Sequence, residues 1–358
     1  MTHVDFAVIG GGIIGCTIAR ELVLRAPHAS VLVLERDAVG SGASRRSAGL
    51  HFPRGATERV RRMAGYSQAY YRTLLDADPA LPIHPVPMLV VSDRASVDQV
   101  EAAYLEEAGL SRVDALPDWL PPLSDETAAW TGEGSQYADV GALSRAFARS
   151  LRPRTSFREG VCVDSLDRVG SGYEIGLGTG ERVTADSVVL APGPWLAAPA
   201  WRERLTPLDI RVKKVVALHI EQPPAAEDGV VVFHDEDAFL LPLHEQRRWL
   251  FSYTSQTWDV DPDRLTGSVS PSDLAEARKV LIGRAPRLAD SARSGRVFCD
   301  AYSADREPLV RALDEEGRLV FAGAANGSGY RLAPAIAAEA AHLLRTAVET
   351  VSDQGSHR

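Results

Sequence analysis

Apolar positions along this chain follow two periodicities. Short, mostly unbroken runs bounded by glycine or charge occur at Val4–Ile9, Val31–Leu34, Val188–Leu190 and Leu319–Ala322. Such runs fit strands buried in a parallel sheet. Helical spacing follows the first run, with Ile14, Ile18, Ala19 and Leu22 on one face. It returns at Glu58–Leu75, where Val60, Met63, Ala64, Ser67, Tyr70 and Leu74 are in phase. The pair Tyr70-Tyr71 reads as core. Ser96–Ala108 reads as a surface helix and Gly141–Leu151 as another helix. A last helix is expected from Pro334, a residue suited to a first helical position, with Ile336, Ala340, Leu343 and Ala347 on its buried face. Tyr173–Leu177 and Glu181–Ala185 flank Gly178-Thr179-Gly180 and predict a hairpin. From Ile210 the pattern changes to long strands at Val212–Ile220, Gly229–Phe233, Ala238–Leu243 and Trp249–Thr254, which suit an antiparallel sheet. The expected fold class is α/β: a Rossmann-like parallel sheet joined to a second, mainly antiparallel one.

Length and charge narrow the function. A chain of 358 residues suits two interleaved domains. Its 45% apolar and 24% charged residues are ordinary for a globular enzyme. The net charge is −9 and no basic stretch stands out, so no nucleic-acid partner is expected. Cys16, Cys162 and Cys299 are far apart and odd in number, which argues for a reducing compartment and against a disulfide framework or a metal site. The N-terminus lacks a signal-peptide pattern and no apolar run is long enough to span a bilayer. A cytoplasmic location is therefore expected, with a polar, frayed tail over 351–358.

The first forty residues carry the sharpest chemistry. Gly10-Gly11-Gly12-Ile13-Ile14-Gly15 has GxGxxG spacing between a strand and a helix. Gly10 permits the tight turn, Gly12 lets the backbone approach a pyrophosphate, and Gly15 lets the helix pack on the strand. The helix N-terminus offers N–H groups and partial positive charge to phosphates. Glu35 lies 20 residues after Gly15, where an acid can accept from a ribose. Ser41–Gly49 then supplies small residues and arginines that suit a pyrophosphate and flavin, where a nucleotide-only domain would proceed to another helix and strand.

Four blocks, VIGGGIIG, GASRRSAG, VVLAPGPW and AGAANGSGYRLAPAIAAEAA, occur in this order. In them the chain resembles the D-amino-acid oxidase (DAO) superfamily of FAD enzymes over nearly its whole length, a group that includes glycine oxidase, monomeric sarcosine oxidase and D-arginine dehydrogenase. The stretches RRSAGLHFPRG and RVKKVVALHI are most similar to D-arginine dehydrogenase. The resemblance implies a glutathione-reductase-type fold with a discontinuous FAD-binding domain, placed at 1–82, 140–205 and 294–350. It leaves 83–139 and 206–293 for the substrate. It also implies oxidation of a C–N bond of an amine or amino acid, with hydride passing to flavin N5 and O2 or a quinone as acceptor. A 2-hydroxy-acid oxidoreductase and a non-catalytic FAD-binding subunit are the alternatives. The oligomeric state is left open.

The expected FAD contacts are Gly10, Gly12, Ile13, Ile14, Gly15, Glu35, Arg36, Ser41, Ala43, Ser44, Arg46, Ser47, Ala48, Gly49, Val161, Ala191, Gly193, Trp195, Gly327, Ser328, Gly329, Tyr330 and Arg331. Arg331 is expected to place positive charge at the flavin, with a solvated cap or surface ion pair as the competing reading. Arg45 and Arg46 are open between cofactor or substrate contact and surface pairing. His51 and Arg54 are expected near the substrate, with His51 either a proton acceptor or a packed ring. Many relatives grip the substrate carboxylate with an arginine five residues before an aspartate. Here the aspartate is Asp305, and the arginine position is Asp300. Asp300 is open between receiving a cationic amine and pairing with a neighbouring arginine. Cys299 is open between a covalent flavin link and a buried structural role, the non-covalent cofactor being the default. Phe239, Tyr253 and His244 are the expected pocket residues.

Overall fold

The computed structural model describes residues 2–265 and 267–355, with side chains as far as Leu344. Five strands form the parallel centre of an eight-stranded sheet: Thr155–Arg158, Val31–Leu34, Thr2–Ile9, Arg182–Leu190 and Leu319–Gly323. Alternation along Thr2–Ile9 decides its two cores. Phe6 and Val8 pack under the helices Ile13–Arg25, Glu58–Ala77 and Gly329–Gly355. Ala7 and Ile9 pack on the other face with Tyr173, Ile175 and Trp201. The expected hairpin is present, Tyr173 opposite Ala185.

The second sheet also has eight strands, and all but one of its pairings are antiparallel; Val230–Phe233 runs parallel to Met88–Asp93. The long strands Arg211–Ile220, Ala238–Leu243 and Arg248–Trp258 are where the pattern placed them. One face is covered by Pro271–Arg284 and Pro286–Ala289, through Val216, Leu218, Phe251 and Leu281. The other face, with Val215, Ala217, Leu250 and Phe298, packs against Ala48, Leu50 and Phe52. A small sheet of Leu50–His51, Gln136–Ala138 and Ile83–Pro85 sits beside this junction.

Three boundaries differ from expectation. Ala292–Tyr302 bonds along Arg211–Ile220, so its residues from 294 belong to the second sheet and not to the first. Ser96–Ala108 is broken: Val97–Ala103 is helical, and Tyr104 turns inward to an antiparallel bridge with Arg54. Helical backbone continues to Gly355, into the region read as a tail. Residues 356–358, and the side chain of Ala347, lie outside the described part.

Candidate active site

The opening glycine turn is closed by sterics that only glycine satisfies. Gly10 has φ +111°, and a Cβ there would lie 2.2 Å from the Ala191 carbonyl oxygen. A Cβ on Gly15 would lie 1.9 Å from the Gly10 carbonyl oxygen. Gly12 has no side chain with which to cap the following helix, and the first turn holds no acid. With Ile13 N taken up by Ser44, the remaining first-turn amides suit an anion. Glu35 ends its strand with the carboxylate accepting from Gly11 N at 2.7 Å and Asp37 N at 2.9 Å. Burial raises its pKa against the pull of those amides. Val161 N donates to the Glu35 carbonyl, and Ser44 Oγ accepts from Ile13 N at 3.0 Å. Ser41, Ala43, Ser47, Ala48 and Gly49 follow the same rim, with Gly49 (φ +67°) packed on the Ala138 carbonyl. Gly193 is also left-handed, and Trp195 covers Gly42. Arg36 stacks 4.5 Å from the Trp195 ring, and both donate to Asp263. These residues fit a dinucleotide diphosphate: a backbone cradle that a Cβ would fill, a helix start with no acid in its first turn and an acid at the strand end.

Arg45 and Arg46 form no ion pair among the described residues. Arg296, which the sequence did not single out, donates instead to the carbonyls of Arg46 and Ser47, at 2.7 and 3.1 Å. It therefore ties the loop to the second sheet.

The C-terminal loop is the second strained turn. Ala324, Asn326 and Gly327 all have positive φ, a cost that surrounding bonds must offset. Asp300 accepts from Gly327 N at 3.1 Å and Ala301 N at 2.9 Å. The Asn326 side chain bonds Ser303 and the Ala324 carbonyl. Asp300 thus pairs with backbone amides and not with an arginine, and burial lifts its pKa to about 6. Cys299 beside it is buried, its thiol pushed up to about 12 by burial and by Asp300.

The last helix begins at Gly329, so Pro334 is interior and not first. A proline removes the N–H that would bond the carbonyl four residues earlier. That carbonyl, on Tyr330, accepts from Tyr71 Oη at 2.5 Å. The Tyr330 ring itself is buried against Tyr71. His51 Nδ1 donates to the next carbonyl, on Arg331, at 3.3 Å, while its Nε2 meets the Gln68 side chain. His51 is fully buried and its pKa falls to about 4 through burial. It holds the helix start and has no free nitrogen for a proton from substrate.

Arg331 neither caps nor pairs with an acid. Its guanidinium donates to the Arg54 carbonyl (2.5 Å) and Ser328 Oγ (2.6 Å) and lies 5.1 Å from the Phe52 ring. Burial and Arg54 bring its pKa down to about 10. No carboxylate forms an ion pair with Arg54 or Arg331 among the described residues. Beside them, Tyr104 Oη and His234 Nδ1 are buried without hydrogen-bond partners. Burial pushes Tyr104 up to about 12, and burial and Arg54 push His234 down. Tyr104 and His234 escaped sequence reasoning because a broken helix and a hairpin tip bring them in.

The expected pocket trio separates. Phe239 stands opposite Ser252 and packs on the face that meets Phe52 and Tyr137. Tyr253, opposite Ala238, points to the covered face, where its hydroxyl donates to Glu276 at 2.8 Å. A period of two puts these neighbours on opposite sides. His244 lies past the strand end, donating to the Asp228 carbonyl. The same alternation puts Lys213 on the Phe239 face, with Val215 and Ala217.

No helix among the described residues is long and apolar enough to cross a membrane, and no group of metal-ligating side chains gathers there. The sequence profile of the family described as FAD dependent oxidoreductase (DAO) matches residues 5–343. The chain is 26% identical to 4-methylaminobutanoate oxidase (formaldehyde-forming) of Paenarthrobacter nicotinovorans, over 95% of this chain and 43% of that protein. It is 27% identical to the tRNA 5-methylaminomethyl-2-thiouridine biosynthesis bifunctional protein MnmC of Burkholderia pseudomallei, over 92% of this chain and 51% of that one. It therefore spans about half the length of these curated relatives. Glycine oxidase from Geobacillus kaustophilus shares the fold with a TM-score of 0.79 at 18% identity, covering 97% and 95% of the two chains. L-proline dehydrogenase from P. horikoshii does so with 0.80 at 20%, covering 96% and 94%. With the family profile spanning nearly all of its length, the chain belongs to the FAD-dependent oxidoreductases of the DAO family.

Proposed function

We propose that this enzyme oxidises the C–N bond of an amine that carries a carboxylate, an amino acid or an N-alkyl amino acid. The observation that carries this is the Arg54–Arg331 pair: two guanidiniums without a carboxylate, beside a buried hydroxyl and a buried ring nitrogen without partners. Such a set suits an anion, and two guanidiniums can grip a carboxylate through several charge-assisted bonds. The named activities of the methylaminobutanoate and glycine oxidases agree with it.

When bound, FAD supplies the hydride acceptor. The parallel-sheet half, with the glycine turn, the Ser41–Gly49 rim and the Asn326–Arg331 loop, would hold it, and the second sheet would close over the substrate. Arg54 and Arg331 would fix the carboxylate, with Tyr104 Oη donating to it. Their positive field lowers the pKa of a neighbouring ammonium, favouring the neutral amine that oxidation requires. His51 acts through Arg331, holding its carbonyl and so the direction of its side chain. The cofactor is held non-covalently, Cys299 being a buried thiol. Electrons leave to O2 or a quinone, and the location is cytoplasmic.

Anaerobic mixing of the flavin-loaded enzyme with amines, amino acids and 2-hydroxy acids tests this. Bleaching of the flavin by amine-bearing carboxylates is expected. Bleaching by hydroxy acids alone, or by none of the compounds, would overturn the proposal.

A further inference from the structure

Resting on that reading, we infer a second anion anchor, Lys213, and hence a substrate class: an amine bearing two acidic groups. Lys213 is 9% exposed and sits on the face of the second sheet that carries Phe239. Its Nζ lies 4.6 Å from the Trp258 ring centroid and 5.7 Å from that of Tyr302. These two rings meet edge to face at 5.5 Å and form two walls around the ammonium.

Several other part-buried cations are paired, although Arg20 also rests on ring faces, those of Tyr70 and Phe147, in the parallel-sheet half. Lys214 pairs with Asp273, Arg59 with Glu307 and Glu339, and Arg284 with Asp93 and Glu236; Arg296 is bonded to two carbonyls. Lys213 has no ion pair and no hydrogen bond among the described residues. The nearest acid by register is its cross-strand partner Asp300. That carboxylate is turned to the amides of Gly327 and Ala301. A buried ammonium left with ring faces alone is costly unless an anion arrives.

The two anchors adjoin one loop. Tyr302 Oη lies 3.2 Å from where a Cβ on Gly327 would be, so the box abuts the loop that leads to Arg331. The hairpin tip at Asp237 (φ +48°) acts electrostatically on both Lys213 and Arg331. Its neighbours are engaged elsewhere, Asp235 with Asp93 N and Ser96, and Glu236 with Arg284. Asp237 thus lies within electrostatic reach of Lys213 and Arg331, with no ion pair to either among the described residues. A zwitterion with one carboxylate occupies one anchor and leaves Lys213 bare. A second acidic group on the same molecule fills it.

Dead-end ligands test this without turnover. Glutarate and valerate have the same chain length and differ by one carboxylate; both are titrated into the flavin-loaded enzyme, read by perturbation of the flavin's visible absorption. Glutarate is expected to bind about tenfold more tightly or better, the size of one charge-assisted contact. Lys213→Met is expected to erase that preference while leaving valerate within about twofold, and Lys213→Arg to keep it. Equal binding of the two acids to the wild type, or an equal loss of both in Lys213→Met, overturns the second anchor. The wild-type comparison stands even if the Met variant folds poorly. Flavin that no amine bleaches would sink the proposed reaction instead, and leaves this preference separately readable.

Discussion

Lys213 and Lys214 are adjacent in sequence and face opposite sides of one sheet. Lys214 points to the covered face, 2.5 Å from Asp273, which also closes the capping box of the helix Pro271–Arg284. Lys213 points to the face that meets the parallel-sheet half and has only aromatic rings beside it. The contrast extends to their surroundings. On the covered face Tyr253 is paired with Glu276 and Arg284 with Glu236. Around the other face, Tyr104 Oη and His234 Nδ1 lack hydrogen-bond partners and Lys213 has only ring faces. A face built for stability satisfies its polar atoms internally, whereas a face built for a ligand leaves them for it.

Five substitutions sharpen this division. The largest effect on stability is expected from Lys214→Met, which strands Asp273: a loss of about 3 kcal/mol, seen as a lower denaturation midpoint with ligand affinities unchanged. The ion pair has an acid limit too. Burial opposes ionisation of Asp273, but Lys214 and Ser270 outweigh it and hold its pKa below 3.8. Its contribution is therefore present at neutral pH and lost as pH falls through that range. Lys213→Met, by contrast, should leave stability unchanged or raise it.

Asp300→Asn should raise stability at neutral pH by up to about 3 kcal/mol, the equivalent of a shift from 3.8 to about 6. The sign follows from a folded-state pKa above the unfolded one: ionisation disfavours the fold as pH rises from 3.8 to about 6 and the cost is constant above. Thermal midpoints across pH check it, and a parallel pH dependence of mutant and wild type would refute it. Arg331→Met should lower kcat/KM by about 100-fold or more with flavin still bound, because it removes a charged contact to substrate. Stopped-flow reduction measures this; wild-type rates would return Arg331 to a structural role. Tyr253→Phe should cost only about 1 kcal/mol of stability and leave KM unchanged. A raised KM would place Tyr253 back at the substrate.

The glycine turn and the sheet that carries it were legible from sequence because their constraints are local. Gly10, Gly12, Gly15 and Glu35 are tied by spacing along one strand, turn and helix, and the steric limits on Gly10 and Gly15 leave little else that fits. The second sheet's strands were legible for the same reason, since alternation is a property of the chain itself. The uses of their side chains were not. Asp300 was weighed as a partner of amine or arginine, yet it pins Gly327 N, 27 residues on. Tyr71 takes up the carbonyl that Pro334 leaves and His51 the next one, across more than 250 positions in each case.

By itself, then, the sequence determined which segments are strands and helices, where a diphosphate is cradled, and which family follows. Tertiary structure alone decided which face of each strand meets the parallel-sheet half, and therefore that Lys213 and Phe239 point towards it and Tyr253 away. The reason is physical: spacing within a segment is carried by covalent geometry, whereas the identity of a buried group's partner depends on which distant elements pack against it.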